Sequence, residues 1–291
     1  MNWDDARIFL AVARQGQFLG AAKALGLNHA TVARRISALE AALGSTLFHR
    51  RTNGTELTVQ GERFLEMAEI MESASLAASE AAGADSAIEG VVRIGAPDGF
   101  GVAFLAPRLG ELTERHPGLR IELVPVPRAF SLSRREADIA VTLERPREGR
   151  LVARKLTDYS LGLYASRAYL ARRGMPGSLA DLADHPLVGY VEDLLYTATL
   201  DYTAAFLKDW RSSLSVSSAM GQTEAVRAGA GIGILHAFMA RRDPDLVPVL
   251  SAHTLRRAYW TVLHEDQRAL RRIALVSDFL TEIVARDRDI F

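Results

Sequence analysis

The feature that most constrains the fold is a run of three short helical patterns at the start of the chain. A first helix can begin at Asp4 or Asp5 and end at Gly16, which suits a helix C-terminus. Two further helices, residues 18–25 and 29–43, are joined by a three-residue turn that starts with glycine and ends with asparagine. Two helices joined in this way are typical of a helix-turn-helix motif.

The third helix has two distinct faces. Apolar residues recur on one of them at spacings of four, three and four: Val32, Ile36, Leu39 and Leu43. The other face begins with short, polar or basic side chains: Asn28, His29, Thr31, Arg34 and Arg35. Such residues suit the start of a recognition helix in the major groove of DNA, although an ordinary solvated helix with two arginines would look the same.

The next residues predict a β-hairpin. Residues 47–51 and 56–59 form two strand patterns, separated by a segment that contains Asn53-Gly54, a dipeptide favoured in two-residue hairpin turns. Arg50 and Arg51 at its base are placed to contact phosphates, which supply affinity rather than sequence choice. Residues 1–60 carry a net charge of +3, so the segment is predicted to be a winged helix-turn-helix that binds DNA.

A long helix is predicted to follow, from a cap at Thr58 to about Ala84. Its apolar residues alternate at spacings of three and four: Phe64, Met67, Met71, Ala74, Ala78 and Ala81. This spacing is typical of a coiled-coil seam, and we favour dimerisation over the alternative, a helix packed on its own domain. A dimer would place two recognition helices on one face of the DNA.

The remaining residues, from about 90 onward, alternate strand and helix patterns. Eight strands are predicted at 91–94, 120–124, 139–143, 161–165, 187–191, 214–216, 232–235 and 259–263, with helices such as 104–115 and 268–286 between them. Alternation of this kind predicts a mostly parallel sheet covered by helices on both faces.

These residues together resemble the LysR-type transcriptional regulators. In the N-terminal part the match runs through residues 9–13, 16–18, 21–25, Val32, Ile36, Leu39-Glu40, Leu43-Gly44, Leu47-Phe48, Arg50-Arg51, Leu57-Thr58 and Gly61. In the C-terminal part it runs through residues 90–97, 105–107, His116-Pro117, 137–141 and 225–233.

The resemblance implies an α plus α/β architecture with three parts. They are a winged helix-turn-helix over residues 1–60, a dimerising linker helix over 61–89 and an effector domain over 90–291. The effector domain is expected to have two α/β lobes, as in periplasmic solute-binding proteins: lobe I at about 90–160 and 265–291, and lobe II at about 161–264. Members of the family usually assemble as tetramers.

Two segments depart from the family pattern. The recognition helix begins Asn28-His29-Ala30-Thr31, where relatives often have a Ser/Gln-Pro-Ala-Val-Ser type of run, so the base preference is not transferable. The loop after the first effector strand is Asp98-Gly99-Phe100, where many relatives place hydroxyl groups near the carboxylate of the effector. An acid at this position would repel an anion.

An effector is expected beyond the carboxyl ends of the strands, where helix N-termini converge. The candidate residues are Asp98, Gly99, Phe100, Thr142, Tyr190, Glu192, Gln222, Thr223 and His236. The acids favour an effector that is neutral, cationic or rich in hydroxyl groups. Alternatively, Phe100 and Tyr190 belong to the lobe core and the acids pair with arginines.

The sequence contains none of the motifs examined for other classes of protein. The chain has no cysteine, no Gly-x-Ser-x-Gly elbow, no phosphate-binding loop and no His-Glu-x-x-His pair, so we expect no enzyme activity, cofactor or metal. The longest apolar run, residues 228–240, is too short to cross a bilayer, and the acidic N-terminus does not fit a signal peptide.

These absences make a cytoplasmic protein the expectation and disfavour the main alternative, a solute-binding protein with an unrelated helical N-terminus. The expected partners are operator DNA, a small-molecule effector and further copies of the chain, with RNA polymerase as a candidate.

Overall fold

The computed structural model describes residues 2–51, 54–82, 88–126, 128, 136–146 and 150–291, with the side chains of Arg50, Leu76 and residues 79–82 left out. The chain divides into two compact units. The first is built on residues 2–51, 54–82 and 266–270, and the second on residues 88–126, 136–146, 150–265 and 271–291.

The first unit contains three short helices, a hairpin and a long helix. They are α1 (Trp3–Gln15), α2 (Phe18–Leu25), α3 (His29–Leu43), β1 (Phe48–Arg51), β2 (Gly54–Leu57) and α4 (Val59–Ala82). The two strands pair antiparallel with Phe48 opposite Leu57. The predicted helix-turn-helix and hairpin are therefore confirmed as structural elements, while Asn53 of the predicted turn lies outside the described residues.

The helix ends follow the capping residues, with one correction. Asn2, rather than Asp4 or Asp5, caps α1: its side chain accepts from the backbone N–H of Asp5, whose carboxylate accepts from the N–H of Asn2. This reciprocal pair leaves Asp5 inside the first turn, where a negative charge is favourable. Asn28, the last residue of the predicted turn, caps α3, and Thr58 caps α4 as predicted.

A single core holds the first unit together. The fully buried side chains include Phe9, Val12, Val32, Ile36 and Leu39. Leu43 was predicted to share this face, but it is 37% exposed because it lies in the last turn of α3, where Gly44 ends the helix.

The second unit is a mixed sheet of eight strands. In chain order these are β3 (Gly90–Ala96), β4 (Leu119–Pro125), β5 (Ile139–Thr142), β6 (Leu151–Ser166), β7 (Leu187–Gly189), β8 (Leu214–Ser215), β9 (Ile232–His236) and β10 (Leu246–His264). Their order across the sheet is β4-β3-β5-β10-β6-β9-β7-β8. The helices are α5 (Asp98–Phe100), α6 (Leu109–Arg115), α7 (Arg167–Arg173), α8 (Ala219–Arg227), α9 (Ala237–Ala240) and α10 (Arg271–Arg286), and a π-helical turn covers Gly101–Leu105.

The two central strands correct the prediction of a mostly parallel sheet. β6 and β10 are 16 and 19 residues long and pair antiparallel with each other. The outer groups, β4-β3-β5 and β9-β7-β8, are parallel within themselves. They form two lobes, because β10 joins the first group through β5 and β6 joins the second through β9.

Candidate functional site

The outer surface of α3 in the first unit carries the predicted DNA-contact residues. Arg34 is exposed and makes no ion pair or hydrogen bond with any residue in the described ranges. His29 is also exposed, with its ring 6.1 Å from that of Phe18, and Thr31 is half-buried. Asn28 is exposed, but its side-chain oxygen accepts from the backbone N–H of Thr31 at 3.0 Å. The side-chain amide oxygen of Asn28 is therefore used as the helix cap.

Arg35 has a different environment from the other predicted contacts. Its Nε donates to Asp5 Oδ1 at 2.7 Å and its terminal nitrogen to Asp4 Oδ2 at 2.8 Å. Burial raises the pKa of Asp5, but hydrogen bonds from the Asn2 backbone and from Arg35 outweigh it and leave that pKa below its usual value. The structure thus places Arg35 in a contact that ties α3 to α1, contrary to the prediction of an outward-pointing guanidinium.

The hairpin supplies the other predicted basic contacts. Arg51 forms an ion pair with Glu56 at 3.0 Å, and both side chains are more than 60% exposed. The side chain of Arg50 lies outside the described part of the structure. An exposed ion pair of this kind is weak and can exchange for a phosphate contact.

The predicted seam on α4 divides into an inner and an outer set. Phe64 and Met71 pack against the core of the first unit, with the ring of Phe64 4.8 Å from that of Phe9. Met67 is 52% exposed, and Ala74 and Ala78 are exposed as well. Ala81 lies among the residues whose side chains are not described.

The predicted seam was therefore partly wrong, because Phe64 and Met71 already have partners within their own unit. The spacing of three and four is the same for a coiled coil and for a helix packed on its own domain. The alternative left open by the sequence applies to these two residues.

In the second unit, a cleft lies at the carboxyl end of β3, between the two lobes. Its lining residues are Pro97, Asp98, Gly99, Leu143, Tyr190, Tyr196, Leu200, Tyr202, Ala219, His236 and Tyr259. The space that the centre of a water molecule can occupy in it is only about 20 Å³, which is room for about one water. The lobes are thus closed on each other at this point.

Asp98 joins the two lobes. Its Oδ2 accepts from the hydroxyl of Ser218 at 2.6 Å and from the backbone N–H of Met220 at 3.1 Å, at the start of α8. Gly99 lies beside this contact, and a Cβ there would be 3.0 Å from that of Ala219. The close approach of the lobes therefore depends on a small residue after the acid.

Tyr190 and His236 line the cleft as predicted. The hydroxyl of Tyr190 donates to the backbone oxygen of Ser217 at 3.1 Å, and burial, followed by the charge of Asp98, raises the pKa of Tyr190 to about 12. His236 is buried and stacks on Tyr159 with ring centroids 5.2 Å apart. Burial lowers the pKa of His236 to about 4, against a smaller opposing effect of Asp98, so the ring is neutral near pH 7.

Five predicted cleft residues lie elsewhere: Phe100, Thr142, Glu192, Gln222 and Thr223. Phe100 is fully buried in the core of lobe I, with its ring 4.4 Å from that of Tyr259. The hydroxyl of Thr142 donates to the backbone oxygen of Glu144, and Glu192 is exposed.

The other two misplaced residues belong to α8. Gln222 and Thr223 are buried, and their side chains donate to the backbone oxygens of Val216 and Ala219. Their side-chain donors satisfy the backbone around the start of this helix, and neither residue lines the cleft.

Comparisons with known proteins cover nearly the whole chain. Residues 3–62 match the family model described as "Bacterial regulatory helix-turn-helix protein, lysR family", and residues 86–285 match the model described as "LysR substrate binding domain". The chain belongs to the LysR family. It is therefore a DNA-binding transcriptional regulator with an effector-binding domain, and the solute-binding alternative is not favoured.

Individual LysR-family proteins match over similar lengths. The chain is 28% identical to the HTH-type transcriptional regulator CrgA of Neisseria meningitidis serogroup C (strain 8013), over 97% of this chain and 96% of the relative. The solved structure of CrgA from Neisseria meningitidis is 26% identical, covers 97% of this chain and 98% of its own, and gives a TM-score of 0.59. The crystal structure of ArgP from Mycobacterium tuberculosis, at 21% identity, has a TM-score of 0.72 over 97% of this chain and 96% of its own, which shows the shared LysR fold.

Most of the aromatic side chains that line this cleft were not predicted from the sequence. Tyr196, Tyr202 and Tyr259 line it together with Leu143 and Leu200. A signal was present, since three of the seven tyrosines of the chain stand six residues apart at positions 190, 196 and 202. No standard helix or strand repeat has this spacing, so the pattern carried no structural prediction.

Two further findings bear on function. No helix in the described ranges is long and apolar enough to span a membrane. The described residues also contain no group of three or more His, Asp or Glu side chains arranged to hold a metal ion.

Proposed function

We propose that the exposed face of α3 reads operator DNA and that Arg34 is its main base-contacting or phosphate-contacting side chain. The observation that carries this proposal is the contrast between two neighbours: the guanidinium of Arg34 has no partner in the described part of the chain, whereas that of Arg35 is bound by two aspartates. His29 and Thr31 supply polar groups on the same surface, and Arg50 and Arg51 of the hairpin supply charge for phosphates.

We further propose that Met67, Ala74 and Ala78 form the contact between two copies of α4. All three are exposed on α4, whereas Ala68 is buried and Phe64 and Met71 pack against the core of their own unit. A dimer made in this way presents two α3 surfaces to a palindromic site, and the family resemblance extends the assembly to a tetramer. In this proposal the protein acts on DNA in the cytoplasm and catalyses no reaction. RNA polymerase is a candidate partner.

The cleft between the lobes is the proposed effector site. Asp98 joins lobe I to the start of α8 in lobe II, so a ligand that alters this contact would change the relative stability of the closed state. Such a ligand can shift the DNA-binding activity only by its difference in affinity between the two states.

The DNA-binding proposal is tested by replacing Arg34 with alanine. We expect Arg34→Ala to weaken binding to the operator by roughly 1–3 kcal/mol, the amount typical of one lost contact. Arg50→Ala should weaken binding to operator and random duplexes alike and reduce the dependence on salt. The measurement is a salt titration of each variant against both kinds of duplex.

Arg63→Ala is the matched control, because Arg63 is an exposed arginine on α4 and its loss removes the same charge from another helix. If Arg34→Ala and Arg63→Ala bind the operator equally well, the assigned surface of α3 is wrong.

A further inference from the structure

The charge of the cleft lining restricts the class of ligand. Among the lining residues, all of them in the described part of the chain, Asp98 is the only one with a formal charge, and neither lysine nor arginine is present. His236 adds no positive charge near pH 7, because burial lowers its pKa to about 4. An anion entering this cleft would meet a carboxylate and no cation, whereas a cation would meet its counterion.

The aromatic side chains that line the cleft also favour a cation over an anion. Tyr190, Tyr196 and Tyr202 line the cleft together with Tyr259, whose ring packs against Tyr159 at 4.2 Å and Phe100 at 4.4 Å and therefore contributes its hydroxyl rather than a ring face. Tyrosine rings attract cations through the negative potential of their faces, and more strongly where water is excluded. A carboxylate surrounded by tyrosines is thus a suitable environment for an organic cation.

Two hydrogen-bond acceptors remain open at the cleft. Tyr259 is fully buried, and its hydroxyl has no hydrogen-bond partner among the described residues. Asp98 uses only Oδ2 in its bonds to Ser218 and Met220, so its Oδ1 has no such partner within the described ranges. A buried hydroxyl such as that of Tyr259 normally has a partner, and Oδ1 of the half-buried Asp98 is a second acceptor, so a ligand with several N–H donors would bond to both.

We propose that this cleft binds a small organic cation whose ammonium group donates hydrogen bonds to Asp98 Oδ1 and Tyr259 Oη. This inference rests on the proposed function, in which the cleft is the effector site. The organic part of the ligand lies among the rings of Tyr196 and Tyr202. Because the closed cleft has room for about one water, the lobes part to admit the ligand and close again around it.

The test uses matched probes that differ only in charge. Butylammonium, 1-butanol and butyrate form one set, and 2-phenylethylammonium, 2-phenylethanol and 3-phenylpropanoate form a second. Calorimetric titration of the full chain should show binding by at least one ammonium probe at concentrations on the order of 10 mM or below. The alcohol and the carboxylate of the same set should bind at least about tenfold more weakly.

Variants assign the binding to the named atoms. Asp98→Asn should weaken the ammonium probe about tenfold or more, and Tyr259→Phe should weaken it several-fold. Ser218→Ala removes one of the two hydrogen bonds by which Asp98 joins the lobes while keeping the carboxylate, so it should retain the preference for the ammonium probe. Asp193→Asn, at an exposed acid outside the cleft lining, should bind like the parent.

Several outcomes of these titrations would contradict the inference. Tighter binding of either carboxylate, equal binding of all three members of a set, or no binding by either ammonium probe would overturn the inference. DNA binding by the same preparations is measured in parallel. If the operator is bound and Arg34→Ala weakens it while the ammonium probes fail, only the ligand class is wrong; if the operator is not bound, the proposed function fails.

Discussion

Arg34 and Arg35 are adjacent in the chain but have different surroundings. The second is bound by Asp4 and Asp5 of α1, with 30% of its side chain exposed, whereas the first extends into solvent. The sequence predicted both as DNA contacts because helical spacing gives the direction of a side chain only to within about one residue step. The acids that bind Arg35 come from another helix, so only the tertiary structure distinguishes the two arginines.

His236 gives a prediction for pH dependence at the residue scale. An unfolded histidine takes up a proton near pH 6.5, whereas burial holds the pKa of His236 at about 4. Between these values the unfolded state binds more protons, so the stability of the second unit should fall as the pH drops through this window. The full loss should be roughly 3 kcal/mol.

Urea unfolding of the parent and His236→Phe at several pH values between 4 and 7 measures this effect. The phenyl ring preserves stacking on Tyr159 and does not titrate, so the variant should lose much of the pH dependence. His253→Phe, at an exposed histidine, serves as the control. A parent and a His236→Phe variant with the same pH profile would contradict the assignment.

At the scale of elements, the start of α4 lies directly against the base of the hairpin. A Cβ on Gly61 would clash with the backbone oxygen of Leu47, and that oxygen also accepts from the N–H of Thr58 at 3.0 Å. The glycine therefore allows α4 to begin where the hairpin ends.

Replacing this glycine should displace the helix from the hairpin. We expect Gly61→Ala to lower the free energy of unfolding of the first unit by about 1–3 kcal/mol, as overpacking does elsewhere. Gly110→Ala is the matched control, because Gly110 is also helical and a Cβ there meets no atom within 4 Å. Gly110→Ala should leave the free energy of unfolding unchanged or raise it slightly. Thermal melts of both variants measure the difference.

The elements differed in how well the sequence predicted them. The short helices α2 and α3 were predicted within a residue or two because Gly26 ends the first and Asn28 caps the second. The long strands β6 and β10 were each predicted only over a buried part, residues 161–165 and 259–263. Their remaining residues mix buried, half-buried and exposed positions, and residues 251–254 of β10 are all exposed.

At the scale of the whole molecule, the outer side chains of α4 bear on self-association. We expect Met67→Glu to break the dimer with little change in the melting temperature, because Met67 is 52% exposed in a single chain. Met71→Glu should instead lower the melting temperature, since Met71 packs against the core of its own unit. Sedimentation velocity and thermal melts of the two variants separate these effects.

An intact assembly in Met67→Glu would show that α4 associates through other residues. Gln60→Glu is the control, because it adds the same charge at an exposed residue on the first turn of α4. This variant should assemble and melt like the parent, because the change removes no apolar contact.

The candidate site was predicted only in outline. The position of the cleft followed from the rule that ligands bind beyond the carboxyl ends of strands, and Asp98, Gly99, Tyr190 and His236 were placed there correctly. Tyr202 and Tyr259 come from a loop and a long strand far apart in the chain. Their meeting at one cleft is set by the sheet order, which the sequence pattern did not reveal.

Lobe I is discontinuous along the chain: β3, β4 and β5 precede lobe II, and the residues that complete the first lobe follow it. Phe291 illustrates this, since its ring lies 4.9 Å from that of Phe104. During synthesis on the ribosome, the second lobe emerges in full before the first can close its apolar interior. Nascent chains halted after β10 would therefore expose part of the lobe I core, and transiently exposed apolar surface of this kind favours aggregation.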